Sequence, residues 1–191
     1  MKERILLQVN ALAPVFEVVD IFNRKINLKD YRGKRVLLGF FRHAGCPFCN
    51  MRVHRLQARY KELKALGLEM IFFFESDAET LLGNMFHKSV SPIPLIADPL
   101  KLVYDGYGIE NSALKSAKSH ITSFFSNAVQ AKIKGIPVHW MAGNESISTI
   151  PAEFLINEYG VVYKLLYSTS LTDRMSVETI FEFAKTGKTT D

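Results

Sequence analysis

The sequence predicts an α/β fold in which a mixed central sheet is flanked by helices and interrupted by a helical insertion. Three observations carry this expectation. A continuous apolar run at residues 36–41, and the mainly apolar stretches 68–75 and 94–99, suit strands buried in a sheet covered by helices. Segments of helical periodicity separate them, which argues for parallel neighbours joined by right-handed crossovers. A late pair of strand patterns around a tight glycine turn adds an antiparallel hairpin at a sheet edge.

Taken in order, "APVFEVVDIFNRKINLKDYRGKR" alternates loosely at Phe16, Val18 and Ile21, turns at "FNRK" and resumes at Ile26 and Leu28, as short strands or a hairpin do. The run "VLLGFF" is the first central strand. From Asn50 to Leu66 the apolar positions Val53, Leu56, Tyr60 and Leu63 are spaced three and four apart. Arg52, Arg55, Arg59, Lys61 and Lys64 fall between them, and Gly67 follows. That pattern predicts one long amphipathic helix. "LEMIFFFE" is a second buried strand, Asp77 is placed to cap a helix running to His87, and "PLIADP" is a third strand ending at Asp98.

Residues 111–134 break the rhythm. Ala113, Ala117, Ile121, Phe124 and Ala128 recur at helical spacing in a stretch too long for an ordinary connection, so residues from about 109 to 148 are expected to be a helical insertion. A helix packed on the domain, a dimer contact and a substrate lid all fit it. "AEFLIN" and "VVYKLLYS" flank "EYG" as the terminal hairpin, and residues 176–185 form a last short helix before a frayed tail.

With 191 residues and 48% apolar composition, the chain is expected to form a single domain over 1–191 that carries this insertion. "MKERILLQVN" lacks the apolar stretch of a secretory signal, and no run reaches the ~18 apolar residues of a membrane span, so a cytoplasmic location away from membranes is expected. The net charge of +5 is spread along the chain; its densest group, Lys25, Lys29, Arg32, Lys34 and Arg35, has no stacking-aromatic pattern, which argues against nucleic acid. Two cysteines are too few to staple a domain of this size.

Both lie in "FRHAGCPFCNMR". A thiol reacts as thiolate, and the first turn of a helix supplies unsatisfied N–H groups and a positive dipole end that favour the anion. Cys46 stands where strand gives way to helix, with Pro47 at a first-turn position, and Cys49 is one turn further in. The expectation is a low-pKa, exposed, attacking Cys46 and a more buried, resolving Cys49. Two packed core thiols are the plain alternative. A zinc site built from Cys46, Cys49, His43 and His54 is disfavoured, since His54 falls roughly 12 Å of helix rise beyond Cys46; no metal and no cofactor are expected.

"APVFEVVD…INLKDYRGKRVLLGFF…CPFC", "DPLKLVYDGYG" and "IPAEFLINEYG" together resemble the thioredoxin-like superfamily. The closer resemblance is to its peroxiredoxin-like branch, the alkyl hydroperoxide reductase and thiol-specific antioxidant proteins. It covers residues from about 12 to 108 and 149 to 184. The resemblance implies a thioredoxin-like fold, an attacking Cys46, and Pro151 as a cis-proline facing the pair. The chain also departs from that family. The proline and the threonine or serine that precede the attacking cysteine by seven and three residues are here Gly39 and His43, and Pro151 stands near the place of an arginine. Arg42 is a candidate substitute for holding the thiolate or else points to solvent, His43 donates a proton to a leaving group or else fills a loop, and Glu153 relays a proton to Cys49 or else is a surface carboxylate on an edge strand.

The function expected is that of a thiol-disulfide oxidoreductase of peroxiredoxin-like type, acting on a disulfide or peroxide and reduced by an external dithiol such as a thioredoxin-type protein or a small thiol. The alternatives are a thiol peroxidase for hydrogen or alkyl peroxides, and a non-catalytic binding module using Phe124, Phe125 and Trp140. A homodimer is the default assembly, given fourteen phenylalanines and the added helix.

Overall fold

The computed structural model describes residues 5–109, 146 and 148–190. Nearly all of the expected insertion, including Phe124, Phe125 and Trp140, lies outside the described residues.

Glu17–Val19 (β1) and Lys25–Asn27 (β2) pair as an antiparallel hairpin. Arg35–Phe40 (β3), Leu68–Phe74 (β4) and Leu95–Ala97 (β5) run parallel, while Ala152–Ile156 (β6) is antiparallel to β3 and Val162–Tyr167 (β7) antiparallel to β6. The five-stranded sheet therefore has the order β5-β4-β3-β6-β7, a mixed sheet with β3 at its centre.

Strand periodicity sorts the apolar runs into two cores. Leu37 and Phe41, with Leu68, Met70, Phe72 and Phe74, face one side of the sheet, together with both cysteines, Val53, Leu56 and Ile180. Val36, Leu38, Phe40, Ile71 and Phe73 face the other, against Phe16 and Ile26 near the first hairpin and Tyr104 and Tyr107. Covered on both faces, the central strands need no polar alternation, which is why β3 and β4 are mainly apolar.

The helices are shorter than their periodicity suggests. The expected helix from Asn50 to Leu66 is Pro47–Ala58 (α1) and Tyr60–Ala65 (α2), broken at Arg59, whose φ of −103° and ψ of 5° leave helical geometry. The expected helix after Asp77 is Ala78–Leu82 (α3), capped by the Asp77 carboxylate accepting from the Thr80 N–H. It is followed by Met85–Ser89 (α4), capped by Asn84. Leu102–Gly106 (α5) follows β5, and Val177–Thr186 (α6) has Ser176 as its N-cap and Gly187 in the left-handed region after its end. No helix among the described residues is long and apolar enough to cross a membrane.

Gly39, in the family's proline position, is needed for space. A Cβ there would lie 2.9 Å from the Phe41 ring and 3.2 Å from Phe72. Gly39→Ala is expected to cost about 1–3 kcal/mol by overpacking this face, read as a lower midpoint in denaturant unfolding.

Candidate active site

The C-terminal end of β3 leads through Phe41-Arg42-His43-Ala44-Gly45 into α1, and polar side chains from α5, the loop after β4 and α1 itself fix this turn. The Tyr104 hydroxyl donates to Phe41 C=O at 2.6 Å, the Ala44 N–H donates to Ser76 Oγ at 2.6 Å, and the Asn50 amide donates to Ala44 C=O at 2.6 Å. Buried His87 meets Asn50 Oδ1 at 3.2 Å. His43 is buried, and its carbonyl accepts the Cys46 N–H at 3.0 Å.

Cys46 is the N-cap of α1, extended at φ −74° and ψ 110°, with Pro47 in the first turn. Its carbonyl accepts the Asn50 N–H. Cys49 sits one turn along, and the Arg42 N–H reaches its sulfur at 3.4 Å. Arg42 Nη1 lies 3.8 Å from Cys46 Sγ, so the expected guanidinium neighbour is present, and its side chain is buried.

The two thiols are pushed apart. Burial alone raises Cys46, but the hydrogen bond from the Cys49 thiol, the Arg42 charge, the Cys49 backbone N–H and the Arg174 charge outweigh it and bring Cys46 down to about 6. Cys49 is held well above the ordinary thiol range, by burial first, then by its hydrogen bond to Cys46 and the charge there.

Three expectations are corrected. Cys46 is not exposed: it is 0% accessible, as is Cys49, in a core that also includes Leu171 and Met175. A helix start supplies amides to a sulfur, but the chain packed over it decides its exposure. Ile150-Pro151 is trans; the cis bond among the described residues is Ser91-Pro92. Pro151 is buried at the mouth of β6, where the ladder asks only for its carbonyl, which accepts the Ser168 N–H at 3.1 Å, and a trans proline meets that need. Glu153 is neither an edge carboxylate nor hydrogen-bonded to Cys49. It is 0% exposed in an interior strand, and Arg52 grips it bidentately, Nε to Oε1 at 2.7 Å and Nη2 to Oε2 at 2.8 Å.

Arg174, Arg52, Asn50 and Ser76 were not singled out as site residues by their spacing. Arg52 looked like one of five solvent-facing cations, yet it is 5% exposed, because α1 is buried on every side from Pro47 to Val53. The one available signal was Glu153 itself, since a carboxylate inside an otherwise apolar strand requires a cation.

Comparison with known proteins bears on family and fold. A 103-residue stretch, 54% of the chain, is 27% identical to Peroxiredoxin Bcp of Escherichia coli K12, covering 65% of that protein. The Thiol-disulfide oxidoreductase ResA of Bacillus anthracis is also 27% identical over 103 residues, with 59% of its length covered. The chain thus matches less than two thirds of the length of these curated relatives. Among solved structures, Peroxidoxin BcpB from Mycobacterium tuberculosis superposes with a TM-score of 0.66 over 96% of this chain and 99% of that one, at 13% identity, a likeness of fold. The AhpC/TSA family profile matches residues 9–165, which includes the whole thiol turn, all of α1 and all of β6; this chain belongs to the AhpC/TSA family, with a thioredoxin-like fold.

Proposed function

We propose that the chain is a thiol-disulfide oxidoreductase of peroxiredoxin-like type, with Cys46 attacking and Cys49 resolving. The observation that carries this is the split between the two sulfurs at one helix start: Cys46 lowered to about 6, Cys49 raised and hydrogen-bonded to it. The Cys46 thiolate attacks one sulfur of a disulfide, a Cys46–substrate bond forms, and the other half leaves as a thiolate that takes up a proton. Cys49 then gives up its proton and attacks the Cys46 sulfur, closing the Cys46–Cys49 bond and expelling the second substrate thiol. The substrate has gained two electrons and the pair has lost two, which an external dithiol returns as it is oxidised.

The order of events follows from the causes of the shifts. After burial, the hydrogen bond to Cys46 and the charge on it are what keep Cys49 protonated, and both are lost once Cys46 is in a mixed disulfide. The resolving thiol is released for attack only after the first step. Arg42 would hold the Cys46 anion and His43 would serve the leaving group. The role expected of Pro151 goes with the cis bond it lacks, and its carbonyl serves the Ser168 N–H.

A peroxide is the second substrate reading, favoured by the two guanidinium charges that act on Cys46 and by the name of the Escherichia coli relative. The thiolate would then take one oxygen of the O–O bond to become a sulfenic acid, an alcohol or water leaving, and Cys49 would displace hydroxide to close the same disulfide. Trapping in a Cys49→Ser variant separates the two: a mixed disulfide with a small disulfide, a sulfenic acid with hydrogen peroxide. A reducing compartment such as the cytoplasm, a dithiol donor and a twofold dimer complete the proposal, and size measurement across a concentration series tests the last.

The pH dependence is sharp. The Cys46 thiolate fraction rises as pH rises through about 6, so its alkylation rate is expected to climb with a midpoint there and level off above about pH 7. Restricted access of the reagent will slow the absolute rate at every pH, while the effect of burial on the midpoint is already part of the value of about 6. A midpoint in the ordinary thiol range, about 8.5, would leave a packed core thiol and the binding-module alternative.

A further inference from the structure

Among the buried groups that the proposed thiol chemistry leaves unused is the Arg52–Glu153 pair, which joins α1 to β6 on the cysteine-bearing face. Its hydrogen-bonding capacity beyond the pair itself goes to the backbone of one residue. Arg52 Nη2, already on Glu153 Oε2 at 2.8 Å, donates to Met175 C=O at 2.8 Å, and Glu153 Oε2 accepts the Met175 N–H at 3.0 Å. Both main-chain groups of Met175 are therefore held by one ion pair 5% and 1% exposed.

Residues 168–176 connect β7 to α6 with no ladder of their own. Asp173 closes the first part into a ring, its carboxylate accepting from the Thr169 N–H and hydroxyl and its carbonyl from the Ser168 hydroxyl. Arg174 stands between that ring and the gripped Met175. Its Nη1 donates to Asp173 C=O at 2.6 Å, and its Nε and Nη2 are buried without a hydrogen-bond partner. Its charge acts on both sulfurs. A guanidinium on a loop between two anchors keeps its place only while both anchors hold.

We propose that Arg52 and Glu153 are positioning residues: by clamping the Met175 backbone they fix Arg174 within electrostatic reach of the Cys46–Cys49 pair. The inference rests on the proposed role of Cys46. Arg52 supplies what lysine cannot, a planar fork that meets a carboxylate with two nitrogens and still reaches a carbonyl. A buried ion pair is weak support for stability as such, since apolar packing of similar volume often serves as well, so its geometry is where its use lies. The charged and titratable groups about the thiols are Arg42 after β3, His43 in the turn, Arg174 in the loop, Tyr104 on α5, on which Cys49 acts, and His87 on α4, which meets Asn50 next to Cys49; Arg52 on α1 and Glu153 on β6 form the clamp.

The test is the pH midpoint of Cys46 alkylation by iodoacetamide in the full chain, for wild type, Arg52→Lys, Arg174→Met and the double variant. Arg52→Lys keeps the charge and removes the fork, so a direct charge effect predicts no change, whereas loss of the clamp raises the midpoint. A rise of about one unit, seen as roughly tenfold slower alkylation well below the midpoint, is expected for either single variant, with no further rise in the double. Glu153→Asp, which keeps the charge and shortens the reach, should behave alike if Arg52→Lys fails to fold. Ile156→Val, on the opposite face of β6, is expected to lose stability without moving the midpoint. A shift in Arg174→Met with none in the clamp variants, or shifts that add, overturns the positioning role and leaves the proposed chemistry standing. A wild-type midpoint near 8.5 overturns both.

Discussion

Cys46→Ser is expected to abolish turnover of disulfides and peroxides alike, by at least about a thousandfold, because the other thiol, Cys49, is buried and is left with no second sulfur on which to close the disulfide. A serine hydroxyl in this setting stays protonated, so neither the helix start nor the Arg42 charge can make a nucleophile of it. Cys49→Ser behaves differently. It keeps the low-pKa partner, carries out the first half-reaction once, and stops with Cys46 bound to half a disulfide or oxidised to sulfenic acid. Intact-protein mass spectrometry after limited oxidation reads both variants. Wild type loses two mass units as the Cys46–Cys49 bond forms, Cys49→Ser gains an adduct, and Cys46→Ser does neither. Turnover retained by Cys46→Ser would remove the assignment.

The largest stability effect is expected at Arg52. Arg52→Met leaves the Glu153 carboxylate buried with only the Met175 N–H beside it, and breaking a buried pair from one side costs about 3–5 kcal/mol. For a chain of this length that is a fall of about 10 °C in Tm, measurable by calorimetry or by the denaturant midpoint. Replacing both partners, Arg52→Met with Glu153→Leu, should recover a good part of the loss, since no uncompensated charge then remains. The Met175 backbone would still lose its partners, so recovery of stability without recovery of the Cys46 midpoint is the expected signature. A double variant as unstable as the single would mean that the pair is needed for packing.

The sheet was legible because buried strands announce themselves: "VLLGFF" and "LEMIFFFE" have few other ways to satisfy both their backbone and their apolar side chains, and β3 and β4 appear within a residue of where these runs stand. The helices were less so. Tyr60 and Leu63 continue the apolar stripe of α1, yet the chain breaks at Arg59, and α3 and α4 each have their own cap; periodicity records which face is buried and says little about where hydrogen bonding is interrupted.

By itself the sequence determined that Cys46 and Cys49 stand one turn apart at a helix start, four residues after Arg42, because these relations are local and a strand-to-helix turn spans only a few residues. Tertiary structure alone decided that Cys46 is buried, that Pro151 is trans, that Glu153 belongs to Arg52, and that Arg174, 128 positions after Cys46, acts on its charge. Solvent exposure and electrostatic neighbours are set by which distant segments the sheet order brings over a residue, and pairing between elements a hundred positions apart leaves no period in the chain to read.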